Sequence, residues 1–132
     1  MSKPSIRKFN TFWNEKTYHD SSIIYRLIED NFLSNAGVDY VVMDPHKSLK
    51  PHFHELPSVV IFVVEGSGMA HLDGKEYPLE KGDVITIPPR IVHGFSTQDA
   101  PLSFLSIQTP AIYGEEADKD TYFVNPLNMP CD

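Results

Sequence analysis

Two histidines, His52 and His54, are separated by a single residue. On an extended strand, side chains two apart leave the same face, so both imidazoles would project into one space. Neutral imidazole nitrogens bind divalent transition ions at roughly 2.0 to 2.2 Å, and a pair spaced this way suits two adjacent ligands of one ion. A third histidine, His93, follows a turn-rich segment from Gly82 to Pro89 that would carry it to the opposite wall of the same cavity. We therefore expect His52, His54 and His93 to converge on one divalent transition metal: Fe, Zn, Ni or Mn. Glu55 adjoins His54 and faces the other way on a strand. His71 follows the outward parity of its strand and is expected in solvent, His46 is expected exposed in the loop from Asp44 to Lys50, and His19 carries no signal.

These ligands need a rigid scaffold, and the sequence supplies short strands divided by turns. Residues 21–32 admit two readings: Ile23, Ile24, Leu27, Ile28 and Phe32 fit one face of a helix, while the β-branched run fits a short strand. Val38 to Met43 is rich in Val and Tyr, as a strand should be. Leu49 to His54 is extended, because Pro51 biases its predecessor toward β geometry. Val59 to Val64 is apolar throughout and predicts a strand covered on both faces. Met69 to Leu72 and Lys75 to Tyr77 flank Asp73-Gly74, a dipeptide that supplies the positive φ angles of a type I′ hairpin turn. Lys81-Gly82-Asp83 is another turn, Val84 to Ile87 another strand, and Pro88-Pro89 must sit at a strand end or sheet edge. Leu102 to Gln108 is a last alternating strand closed by Pro110. The whole predicts an all-β closed sandwich or barrel, with a short aromatic arm over residues 1–20 and a tail over 111–132 that forms a strap or is partly disordered.

The 132 residues suit one domain, and 18 acidic against 11 basic side chains give a net charge of -7. That balance disfavours nucleic acid and anionic membranes as partners and leaves a small-molecule ligand. Cys131 is the sole cysteine, so no intrachain disulfide forms. With no apolar leader and no run of about 18 apolar residues, the chain is expected in the cytoplasm. The aromatic arm and the proline-punctuated tail are expected to bury apolar surface in a homodimer.

The same residues carry a family resemblance. His52-x-His54 followed by an apolar strand into Gly66 resembles the first cupin motif, and Gly82, Pro88 and His93 resemble the second. The stretch EGSGMAHLDGKEYPLEKGDVITIPPRIVHGF is similar to cupin sequence almost position by position, and the likeness runs over about residues 40–110. It implies a double-stranded β-helix, or jelly-roll, with Val59, Ile61 and Val63 facing the interior, as Ala70 and Leu72 do. It also marks a departure: the glutamate usual in the first motif is Val59 here. Three imidazoles without a carboxylate leave a divalent ion its full charge and about three open positions, a pattern that looks like the thiol dioxygenases of that superfamily. Arg90 stands where the second motif commonly has glycine, either as a carboxylate clamp or as a rim side chain. Phe95 is expected to line the pocket, and Gln108 to orient a ligand or lie at the surface. The implied function is a divalent-metal-dependent enzyme of dioxygenase, isomerase or lyase type on a small anionic or oxygenated metabolite. The alternative is a non-catalytic small-molecule or metal-binding module.

Overall fold

The computed structural model describes residues 4–8, 16–19, 21–29, 32–112 and 120–124. Ten strands and no helix occur among them: β1 (Lys16–His19), β2 (Ser22–Arg26), β3 (Gly37–Met43), β4 (His52–Phe53), β5 (Ser58–Leu72), β6 (Lys75–Glu80), β7 (Val84–Ile87), β8 (His93–Ser96), β9 (Leu102–Thr109) and β10 (Tyr122–Phe123). All pairings are antiparallel, in the order β1-β2-β3-β9-β5-β8-β4-β10, with β6 and β7 also on β5.

The 15-residue β5 is the hinge of the architecture. Its first half pairs β7 and β9, and its second half pairs β6 and β8, so one strand serves two sheets. The switch falls at a register shift between Val63 and Glu65, followed by Gly66 at φ 85°. A β-bulge there bends the strand and curls the sheets toward each other. The Asp73-Gly74 turn has positive φ at both residues, as type I′ requires, and the hairpin forms as expected.

Alternation along the strands fills the interior. Val59, Ile61 and Val63 of β5 meet Ile85 and Ile87 of β7, Phe104 of β9, Val41 and Met43 of β3, and Ala70 with Phe95 beyond the bend, all buried in one cluster. Burying each such aliphatic side chain contributes about 1.5 to 3 kcal/mol. Leu72 packs against the same cluster.

Four expectations are revised or resolved. The segment 21–32 contains strand β2, not a helix, because Ile23 and Ile24 pair with Val42 and Val41 of β3, and ladder bonds to a neighbouring strand override a weak helical period. Within the arm, Lys16–His19 is a strand on β2, while Phe9, Phe12 and Trp13 lie outside the described residues. The run Val59 to Val64 is not covered on both sides: Val60 and Phe62 are 40% and 43% exposed on the outer face. In the tail, β10 straps over β4, pairing Tyr122 with Phe53 and Phe123 with His52; Cys131 lies outside the described residues.

Candidate metal centre

His52 lies on β4, His54 just beyond its end, and His93 opens β8 directly opposite His52 in register. The extended backbone from His52 to His54 sends both rings inward, and the β4–β8 pairing brings the third ring to them. Ring centroids are 4.4 Å apart for His52 and His93, 5.1 Å for His52 and His54, and 5.2 Å for His54 and His93. One nitrogen from each ring lies within 4.8 Å of the other two.

The hydrogen bonds fix which nitrogen that is. Nδ1 of His52 donates to the Lys50 carbonyl at 2.7 Å, Nδ1 of His54 to the Asp120 carbonyl at 2.8 Å, and Nδ1 of His93 to the Ile91 carbonyl at 2.9 Å. A carbonyl oxygen only accepts, so each Nδ1 carries a proton, and in the neutral ring Nε2 is the nitrogen left to bind a metal. This is the outer-sphere arrangement that orients metal-ligating imidazoles and raises their basicity. Burial, reinforced by the neighbouring His52, pulls the pKa of His93 from 6.5 to about 3; its bond to the Ile91 carbonyl opposes the fall, and His54 adds to it. His93 is therefore neutral near pH 7. Three imidazoles turned toward one point suit a cation, so the donor set fits a divalent ion.

The walls of the site are apolar. Val59, Ile61, Val41, Ile87, Phe95, Phe104, Leu49 and Ile112 line a cavity of about 30 Å³ with the three histidines and Ser106. That is room for an ion and about one further oxygen atom. The position where a carboxylate was missing is occupied by the Val59 side chain as part of this wall, and Glu55 is exposed, its backbone N–H bonded to Asp120 Oδ1.

Of the other residues singled out in the sequence, Val59, Ile61 and Phe95 line the cavity, while Arg90 and Gln108 do not. Arg90 is exposed at φ 68°, a left-handed conformation that explains why glycine is common at its place, and its N–H donates to the His54 carbonyl at 2.7 Å. Gln108 is fully buried behind the wall, bonded to Asp39 and Ser106. His71 is not simply solvated: Nε2 meets Ser96 Oγ at 2.9 Å, and Nδ1 lies 3.4 Å from Glu76 across the hairpin. His46 is exposed as expected, and the side chain of His19 lies outside the described residues. Sequence reasoning missed Asp120, whose carbonyl orients His54 and whose carboxylate accepts the N–H groups of Glu55 and Leu56. No local signal marks a partner 66 residues away. It missed Ser106 as the hydroxyl in the cavity; its place on the same strand face as Phe104 and Gln108 was the available clue.

A curled antiparallel barrel with histidines from two neighbouring strands facing its interior defines a small β-barrel of the jelly-roll class. The family model for the Cupin domain matches residues 39–108, just over half of the chain, and the chain belongs to that family. An uncharacterized protein of Methanocaldococcus jannaschii is 28% identical over 103 residues, covering 75% of this chain and 82% of that one. Among solved structures, a uridine-bound form of Streptomyces Pac13, a nucleoside dehydratase, superposes with a TM-score of 0.70 at 19% identity over 98% of this chain and 99% of that one. The polyketide cyclase RemF of Streptomyces resistomycificus gives 0.68 at 24% identity over 83% and 75%. At these identities the solved structures establish the shared fold.

Proposed function

We propose that the chain is a divalent-metal-dependent enzyme of lyase or isomerase type, acting on a small anionic or oxygenated metabolite, with His52, His54 and His93 as the ligands. The observation that carries this reading is the set of three carbonyl-bonded Nδ1 atoms, which leaves three Nε2 lone pairs facing one small volume. A divalent ion held there supplies a Lewis acid that polarises a substrate oxygen. The residues of the chain do the rest. The three backbone carbonyls keep the rings in one tautomer, and the apolar walls exclude water and strengthen local electrostatics. Lyase or isomerase chemistry is preferred over oxygenation because the dehydratase and the cyclase share this fold. Fe, Zn, Ni or Mn would each accept three imidazoles. Arg90, exposed beside the His54 carbonyl, would meet the outer part of a carboxylate substrate, and Phe95, Val59 and Ile61 its buried end.

One observation favours a second reading, a non-catalytic metal-binding module: the cavity of about 30 Å³ holds an ion but not a metabolite unless the strap or the β7–β8 turn moves. The wider reading includes one cupin domain over 1–132, a cytoplasmic setting and a homodimer. The charge of -7 supports a small-molecule ligand over nucleic acid. No helix among the described residues is long and apolar enough to cross a membrane.

Elemental analysis of protein grown in metal-replete medium tests the site. About one ion per chain is expected in the parent and under a tenth of that in His93→Ala, because two imidazoles bind far more weakly than three. Equal metal in both would overturn the ligand set. Oxygen-independent turnover of a stabilising carboxylate or sugar ligand would then separate lyase chemistry from storage.

A further inference from the structure

We infer that Ser106 is a fixed hydrogen-bond donor inside the cavity, and that it selects a ligand presenting an acceptor oxygen, of carboxylate class, beside the three histidines. The inference rests on the reading of His52, His54 and His93 as a metal centre and specifies what shares it.

The orientation of the hydroxyl follows from a buried polar chain. Asp39 on β3 stands opposite Ser106 on β9, and both Asp39 and Gln108 are fully buried. Arg26 Nε donates to Asp39 Oδ1 at 2.9 Å, and Gln108 Nε2 donates to Asp39 Oδ2 at 2.9 Å. Gln108 Oε1 accepts the Ile112 N–H at 3.1 Å. The amide cannot be turned over: its oxygen would then face a carboxylate, and its NH₂ a backbone N–H. So Nε2 is the atom that meets Ser106 Oγ, at 2.8 Å; one of its two N–H groups serves Asp39 Oδ2, and the other is shared between Ser106 Oγ and the Ser106 carbonyl at 2.9 Å.

An amide nitrogen offers no lone pair, hence Ser106 Oγ must accept in that contact and its own proton must point elsewhere. Among the described residues no acceptor takes that proton. Ser106 is 4% exposed and lines the cavity, so the proton is directed at whatever the cavity holds. A buried donor without an acceptor is disfavoured by about 1 to 3 kcal/mol, a bias that any acceptor oxygen relieves and a donor group does not. With an ion on the histidines, the remaining room suits a single oxygen, and an ion of charge +2 favours an anionic one. Gln108 and Asp39 are then positioning residues that hold Ser106 as a donor, which gives Gln108 its connection to the ligand at one remove.

Cobalt(II)-loaded protein, titrated with formate and followed by visible absorption and calorimetry, provides the test. The parent should bind both cobalt and formate. Ser106→Ala should bind cobalt within twofold of the parent and formate about tenfold more weakly, and Ser106→Thr should restore most of the formate affinity. Gln108→Met should weaken formate with cobalt loading intact, a split that general loss of packing does not produce. Formate affinity in Ser106→Ala within twofold of the parent overturns the role of the hydroxyl while leaving the metal centre standing. Equal loss of cobalt and formate in Gln108→Met overturns its positioning role. A parent that takes up no cobalt overturns the metal centre and this inference with it.

Discussion

Neutrality of His93 is a property that acid can remove. Its pKa of about 3 in the folded chain lies below 6.5, so between those values the unfolded chain binds the extra proton and the folded chain does not. Stability of the metal-free protein therefore falls as pH drops from about 6.5 toward 3, with a slope from this group approaching 1.4 kcal/mol per pH unit. Urea denaturation at successive pH values should show this slope, and His93→Asn should flatten it; parallel curves for the two proteins would sink the attribution. At this scale the three histidines were legible in the sequence because strand parity and one turn suffice to aim them. Arg90 was legible as a departure from the motif and Gln108 as a polar candidate for a ligand, but not in their contacts, since the Asp39 partner of Gln108 is 69 residues away and no local pattern records it. His71 was misread because parity says which face a residue occupies, not that Ser96 from a neighbouring strand waits on that face.

The bend in β5 and the strap over β4 are the elements that hold the site together. At Gly66 a Cβ would stand 1.8 Å from the Pro101 carbonyl oxygen, with φ at +85°, so Gly66→Ala must displace backbone and should destabilise by about 3 kcal/mol or more. Gly82, at φ +94°, has nothing within 4 Å, so Gly82→Ala should cost only the left-handed strain of about 1 to 2 kcal/mol. Denaturant midpoints of the two variants check the order, and equal losses would show that the bend tolerates a side chain. For the strap, Asp120→Ala removes the acceptor of the Glu55 and Leu56 N–H groups at 2.9 and 3.1 Å and loosens the carbonyl that fixes His54. Zinc affinity, measured by competition with a chromophoric chelator, should fall by about tenfold; an unchanged affinity would mean His54 is held without the strap. Turns and the β6 hairpin could be read from sequence because their dihedral needs name their residues. The strand at Ser22–Arg26 could not, because its choice over a helix is made by β3, which lies outside any local window.

At the scale of the molecule, the outer face of the sheet formed by β7, the first half of β5 and β9 carries an exposed apolar cluster. Val60 and Phe62 of β5, Val84 of β7 and Ile107 of β9 are 40%, 43%, 62% and 41% exposed, and the register places Val60 beside Ile107 and Phe62 beside Val84. The sequence expectation of a strand buried on both faces failed for the isolated chain, yet it was a sound reading of composition: an apolar run with no polar face is built to be covered. A cluster of this kind on a small acidic protein favours association, and a two-fold pairing of like faces is the commonest closed solution. Light scattering on the parent should therefore give twice the 15.0 kDa chain mass. The double variant Val60→Lys, Phe62→Lys should return the mass to one chain, since facing copies would bring buried like charges together. Its zinc affinity should stay within twofold of the parent, because both side chains point away from the cavity while Val59 and Ile61 between them line it. A dimer that survives both lysines would assign the interface to another surface, and a parent of single-chain mass would remove the dimer from the proposed reading altogether.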